Sequence, residues 1–383
     1  MPTFAPSFDE RLNHRKPYHM RNIIAQLALI SSLATTAMAQ DVIDINYQQD
    51  RATVSIPAAL KKSVKQQVKG AHVTLLADKA YNKELTLRLA GKSTNGSLYM
   101  DGKCPLALVF NGLDLTNPDS CAVNIQDGKL TKVKLADGTK NALADGNKTK
   151  AQGQGDAHKA ALFLHGHAEW SGKGAMTLTG NVGHGYASDE YTLFLGGALT
   201  VKRAAKDAMR VKQYLHVKGG QLALTGKQGG IDVDKTKDPK DERNGQVVIE
   251  GGQLSATATG SASYDKKKKK IVGTAALACD LFTMKGGQVS LLHKGAGGRG
   301  LKADEGVNVS GGQLSVVTQG EKYEYNDALD AKPHGIKSDK DITLSGGVIT
   351  VKVAAKKATT LKTDGKISTK GAQVATSGGK PWK

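Results

Sequence analysis

Bulky rings and cysteines are scarce in this chain. Aromatic residues make up 5% of its 383 residues, and Trp170 and Trp382 are the two tryptophans. That excludes a helix bundle around a ring-filled core. It suits many short strands packed with small and β-branched side chains. Cys104, Cys121 and Cys279 are the three cysteines, and no Cys-x-x-Cys pair occurs, which excludes zinc-type and redox-motif sites. No apolar run reaches the roughly 20 residues of a membrane-spanning helix. Sustained helical periodicity is also missing after the N-terminus; the best stretch, Ala58 to Val68, is short and lysine-rich.

The N-terminus reads as an export signal. Met20-Arg21-Asn22 is a basic start, Ile23 to Leu33 is mostly apolar, and Ala37-Met38-Ala39 is a small-x-small cleavage site. A secretory signal peptide cut after Ala39 is expected, with residues 1–19 an upstream extension. The expected location is periplasm, cell surface or medium. An exported chain can hold one disulfide. Cys104 and Cys121 lie close to one turn of the repeat described below and are the expected pair; three buried thiols are the alternative.

Charge is lopsided. Fifty-four Lys and Arg stand against 35 Asp and Glu, a formal net of +19. Such a field draws polyanions: acidic polysaccharide, nucleic acid or anionic envelope. Export disfavours nucleic acid.

Forty-five glycines are present, and many fall in one recurring word. It reads Gly219-Gly220-Gln221-Leu222, Gly251-Gly252-Gln253-Leu254, Gly286-Gly287-Gln288-Val289 and Gly311-Gly312-Gln313-Leu314. Weaker copies are Lys173-Gly174-Ala175-Met176, Gly196-Gly197-Ala198-Leu199, Gly346-Gly347-Val348-Ile349 and Gly371-Ala372-Gln373-Val374. The short steps between copies are 23–25 residues. Three longer steps contain polar inserts, around Lys235–Arg243, Ser261–Lys270 and Glu321–Lys332. Inserts into a fixed period are loops on a stacked repeat. Short alternating stretches such as Leu222-Ala223-Leu224-Thr225 and Val307-Asn308-Val309 read as strands. The expected fold is therefore all-β: a right-handed parallel β-helix with coils of 23–25 residues. Gly-Gly should mark a corner where φ is positive or coils touch closely. The expected division is residues 1–39 as extension and signal, 40–90 as a β-rich cap, and 91–383 as the β-helix.

Several words in the first half add a family likeness. They are Ser97-Leu98-Tyr99-Met100, Leu108-Val109-Phe110-Asn111-Gly112-Leu113-Asp114-Leu115-Thr116-Asn117, Leu135-Ala136-Asp137-Gly138-Thr139, Ala144-Asp145-Gly146 and Trp170-Ser171-Gly172-Lys173-Gly174. With the glycine corners, the chain resembles bacterial carbohydrate-binding β-helix proteins related in fold to polysaccharide lyases. The resemblance implies a secreted polysaccharide binder, sometimes holding calcium. The family's usual Asp-Asp-Gly-Ile word is largely lost: Asp207 keeps an acid, while Gly229-Gly230-Ile231, Arg299-Gly300-Leu301 and His334-Gly335-Ile336 do not. That departure counts against calcium.

Aligned coils expose two columns. Arg210, Lys302, Lys337 and Lys362 form a basic one, the candidate carbohydrate contacts. Asp189, Asp234, Asp304, Asp339 and Asp364, mostly two residues further on, form an acidic one, which with Asp207 makes the candidate cation set. Positions i and i+2 on a strand share a face. Two readings stay open: a self-neutralising surface ladder, each pair worth about 0–1 kcal/mol, or a groove where lysines meet uronate carboxylates and aspartates hold a bridging calcium. With few rings to stack on sugars, the substrate tilts toward an acidic glycan.

Other signals are weaker. Gly295-Ala296-Gly297-Gly298-Arg299-Gly300 matches a dinucleotide fingerprint, but no helix follows it. His165 and His167, with His184 one coil on, could hold a metal only if they converge. Lys266–Lys270 reads as a solvated loop or an anion-docking patch. Asp232-Val233-Asp234 is the nearest approach to a hydrolase carboxylate pair. The expected function is a monomeric, non-catalytic binder of acidic polysaccharide that requires no cofactor. The alternatives are a calcium-dependent polysaccharide lyase and a cell-surface adhesin.

Overall fold

A computed structural model describes residues 42–146, 160–238, 240–241, 243–380 and 382. The expected extension and signal at 1–39 lie outside them, and no helix among the described residues is long and apolar enough to cross a membrane. Asp41–Lys383 form one compact unit. It is all-β, built largely from parallel strands. The lysine-rich stretch after Pro57 contributes one short 3-10 turn, Ala58–Leu60.

Each turn of the chain adds one strand to each of three parallel columns. The first runs through Lys140–Ala144, Ala175–Gly180, Ala198–Ala204, Gln221–Gly226, Gln253–Ala258 and Gln288–His293. It continues into Arg299–Thr318, Ile342–Val353 and Gln373–Ser377. The second runs from Gly96–Asp101 through His184–Ser188, Asp207–Lys212 and Gly229–Asp234 to His334–Ser338 and Thr359–Lys362. The third includes Leu85–Ser93, Thr131–Leu135, Ala168–Gly172 and Tyr214–Val217.

Period-two alternation decides which side chains enter the core. Leu199, Leu222, Leu254, Val289, Leu314 and Ile349 are mutual register partners, and all are buried. A second inner row runs through Leu87, Leu108, Val133, Trp170, Phe194 and Val217. Each such side chain contributes about 1.5–3 kcal/mol on leaving water. Trp170 is 0% exposed and meets Tyr186 edge-on at 5.4 Å, so this ring is core and offers no sugar platform.

The glycine words line one edge of the first column. Gly220, Gly252, Gly287, Gly312 and Gly347 all have φ between +76° and +83°. At Gly252 a Cβ would also sit 2.8 Å from the carbonyl oxygen of Gly220 on the preceding coil. Both reasons for glycine, conformation and coil contact, therefore hold there.

Two of the three inserts are antiparallel hairpins, Ser263–Asp265 with Lys270–Val272 and Tyr323–Asn326 with Leu329–Ala331. Tyr264 and Tyr325 stack between them at 3.9 Å.

The N-terminal strands pair on into the rest of the stack, and the cysteine expectation needs correction. Parallel pairing crosses residue 90, because Val42–Gln48 pairs with Leu85–Ser93 and Ala71–Ala77 pairs with Gly96–Asp101. Residues 42–90 thus join the same stack, with antiparallel partners Arg51–Ser55 and Val64–Lys69 added to it. Cys104 and Cys121 are free buried thiols, as is Cys279. The coil here repeats every 25 residues, since Leu98 pairs with Val123. A 17-residue separation therefore puts the two thiols on different sides of the turn. Cys104 sits in the main core, whereas Cys121 lies in a separate cluster with Ala160, Phe163 and Ala187.

Candidate functional site

In the second column, Asp207–Lys212 and Gly229–Asp234 lie side by side with Arg210 opposite Asp232 and Lys212 opposite Asp234. Alternation buries Met209, Val211, Ile231 and Val233 and turns the charged residues outward. The Arg210 guanidinium donates to Asp232 and, at 2.7 Å, to Asp234. Three coils on from Arg210, Lys302 stands in the same row. A pocket of ≈ 520 Å³ is lined by Asp207, Arg210, Asp232 and Lys302, and the base of the Ser263–Val272 hairpin, at Ser263 and Val272, forms part of its wall. Gly229 keeps the pocket open, because a Cβ there would lie 2.6 Å from Asp207 Oδ1.

The tip of that hairpin holds the five-lysine run. Asp265 closes the turn by accepting from the Lys267 and Lys268 backbone N–H groups at 2.9 and 3.0 Å. Lys266 to Lys270 are all exposed, and among the described residues none of the five ammonium groups is ion-paired.

Burial sets the pocket's proton affinities. Asp207 is pushed up to about 7, chiefly by desolvation and then by the neighbouring Asp232 charge. Asp232 is also raised by burial, against the opposing pull of Arg210. His184, beside Asp207, is held down at about 4 by burial and by the Arg210 and Lys206 charges. Asp207 is thus protonated over much of the acid range, and the pocket gains a negative charge near neutrality.

The sequence-derived basic column exists in space: Lys302, Lys337 and Lys362 are register partners. Each lysine is bonded to the acid two residues on: Lys302 to Asp304 at 2.6 Å, Lys337 to Asp339 at 3.2 Å and Lys362 to Asp364 at 3.3 Å. Asp234 goes to Arg210, and Asp189 to Lys212 at 2.8 Å and His165 at 3.0 Å. The carboxylates expected to gather around calcium are strung along the stack, five of them paired with Lys or Arg and Asp207 facing His184. Among the described residues no three His, Cys, Asp or Glu side chains form a metal-holding group, so the donor set does not fit calcium and no step runs through it.

The remaining signals disperse. His165 faces Asp189, His184 faces Asp207, and His167 stacks on Tyr191 at 4.4 Å. Tyr191 stacks in turn on Tyr214, whose ring is covered by Arg243 at 3.9 Å. The Gly295–Gly300 stretch leads into the strand Arg299–Thr318 and no helix. Lys212, Asp280 and the pairing role of Asp232 escaped the sequence reading, because their partners depend on the exact coil register, and for Asp280 also on the inserts between the coils. Asp280, for instance, binds Lys235 at 3.0 Å from an insert one coil back.

Three comparisons bear on this arrangement. The model of a family described as carbohydrate-binding domain-containing protein matches residues 69–280. A carbohydrate-binding domain-containing protein of Acetivibrio thermocellus is 28% identical over 116 residues, which is 30% of this chain and 41% of that relative. The chain therefore spans less than half the length of that relative. A solved structure described as a polysaccharide lyase-like protein from C. thermocellum, a gadolinium derivative, matches with a TM-score of 0.56 at 20% identity, over 70% of this chain and 96% of that one. At that identity the likeness is one of fold.

Proposed function

The chain belongs to the family of carbohydrate-binding domain-containing proteins, and from that premise we propose that it is a secreted, non-catalytic binder of acidic, uronate-containing polysaccharide. Its stack is read as a right-handed parallel β-helix, because parallel crossovers in one sheet are almost always right-handed. The observation that carries the acidic preference is the hairpin bearing Lys266 to Lys270. Five uncommitted ammonium groups project from the hairpin that helps wall the pocket holding Arg210 and Lys302. A polyanion would be drawn to that tip and gripped below it.

The ladder pairs at Lys302, Lys337 and Lys362 are exposed enough that each is worth about 0–1 kcal/mol. An incoming carboxylate can therefore displace an aspartate at little cost. Binding on this reading is independent of calcium. A lyase reading finds support in the fold neighbour and in Lys302 and the burial-raised Asp207 lining one pocket. It would reveal itself as absorbance of unsaturated uronides.

The test is a glycan array read across a salt series, with a variant in which Lys266 to Lys270 become glutamine. Binding to polygalacturonate should weaken steeply with salt, and the variant should lose most of that dependence. Salt-independent binding, or equal binding of acidic and neutral glycans by both proteins, would remove the electrostatic claim. Mass spectrometry of the exported protein should place its first residue after Ala39.

A further inference from the structure

The first column presents an outer face of a different character. Gln221, Gln253, Gln288 and Gln313 are register partners on four successive coils, and all four are exposed. Two residues along, Ser255, Ser290 and Ser315 form a parallel row. Together they line a shallow groove of ≈ 480 Å³ that runs across the coils. No charged side chain lines it, although 23% of the chain is Asp, Glu, Lys or Arg. The charge ladder runs along the second column, and the five lysines project from an insert.

The glutamines are not required by the corner they follow. Ala198 and Val348 occupy the same register position, and Gly197 and Gly347 before them keep φ at +86° and +83°. Nor are the amides spent on one another: among the described residues none of the four side chains has a hydrogen-bond partner. Each coil thus offers one amide, both donor and acceptor, repeating at a rise of about 4.8 Å. That rise is comparable with the length of one pyranose unit.

We propose that this glutamine face is a second binding site, for an uncharged, hydroxyl-rich polysaccharide chain laid along the stack with one sugar unit per coil. Amides exchange hydrogen bonds with hydroxyl groups as donor and acceptor, and the small serine row leaves room for the ring above it. The site takes its ligand class from the family's carbohydrate binding but does not depend on the charged pocket. The two sites should differ in salt response.

The experiment is calorimetric titration with uncharged oligosaccharides of the gluco-, manno- and xylo-series at increasing length, with polygalacturonate as the second probe. One uncharged series should bind with affinity that climbs until the chain spans the four glutamine coils and then levels off, unaffected by salt. Gln253→Ala combined with Gln288→Ala should lower that affinity about tenfold or more, with melting temperature and polygalacturonate binding unchanged. Wild-type protein that binds no uncharged series overturns the site, as does a double variant that binds as well as wild type. If the double variant melts early, Ser290→Lys decides: it keeps every amide and blocks the floor, and retained binding of the uncharged chain overturns the proposal. Loss of polygalacturonate binding in Arg210 variants alone speaks to the other pocket and leaves this one intact.

Discussion

The Nδ1 atom of His184 lies 3.3 Å from Oδ2 of Asp207 and accepts the Asp207 backbone N–H at 3.2 Å. A ring nitrogen whose lone pair accepts a backbone N–H is unprotonated and offers a carboxylate oxygen no donor. The pair is therefore a neutral one, with the proton on Asp207, in agreement with a carboxyl raised to about 7 and an imidazole lowered to about 4.

That proton makes stability pH-dependent with a definite sign. Folded Asp207 holds its proton up to about 7, whereas the unfolded chain releases it near 3.9. Between those values the folded state binds more protons, so this group's contribution falls as pH rises through the window. Asp207→Asn removes the effect. The variant's stability relative to wild type should rise by about 4 kcal/mol between pH 4 and 7 and then stay level. Paired melting curves across that range check it; a difference that does not change with pH would show that Asp207 ionises normally.

How much of this was legible in advance depends on the length of chain each feature needs. The Gly-Gly-Gln-Leu word was read correctly as a corner, because the positive φ at Gly252 is a local property and the repeat itself puts the same glycine on the coil before. The i, i+2 pairs such as Lys337 with Asp339 followed from strand alternation alone. Arg210 with Asp232, by contrast, needs the exact length of the intervening turn, and Lys235 with Asp280 needs the insert between their coils. The cysteine pairing failed for the same reason: the local coil has 25 residues, and a near-match in spacing puts two side chains on different sides of it. The glutamines were visible throughout, but as punctuation of the repeat. Their face emerged only when the inserts were folded out of the way and the four coils came into register.

Arg210 faces two acids of the next strand, so its removal does more than delete a cation. Arg210→Ala leaves Asp232, which burial already disfavours as an anion, without its counterion. A loss of about 1–3 kcal/mol in stability is expected, together with at least a tenfold loss of polygalacturonate affinity and a shallower salt dependence. Arg210→Lys should recover much of the stability but not the two-pronged contact with Asp232 and Asp234. Denaturant titration and binding isotherms at two salt concentrations separate these effects. An alanine variant with wild-type affinity would remove Arg210 from the site.

The Lys337–Asp339 pair distinguishes a decorative ladder from a latent grip. Asp339→Ala should change stability by no more than about 0–1 kcal/mol. It should raise affinity for polygalacturonate, because Lys337 loses the partner that competes with the ligand. Chelation of divalent ions should alter neither the wild type nor the variant, since the aspartates are paired with lysines instead of gathered around an ion. Weakened binding in the variant, or a chelator-induced loss, would show instead that Asp339 contributes directly through a cation.

Gly252 and Gly112 separate the two reasons for a glycine in this fold. Both have positive φ, +78° and +82°. A Cβ on Gly112 would meet nothing within 4 Å, whereas one on Gly252 would approach the Gly220 carbonyl oxygen of the coil before it at 2.8 Å. Gly112→Ala should therefore cost only the conformational term, about 1–2 kcal/mol. Gly252→Ala should cost that amount plus the work of parting two coils, and its neighbours Gly287 and Gly312 should behave the same way, since each faces the glycine carbonyl below it. Denaturant titration of the two alanine variants measures the difference directly. Equal losses would mean that the corner selects glycine for its backbone angle alone, and that the coils can spread by a few tenths of an ångström without penalty.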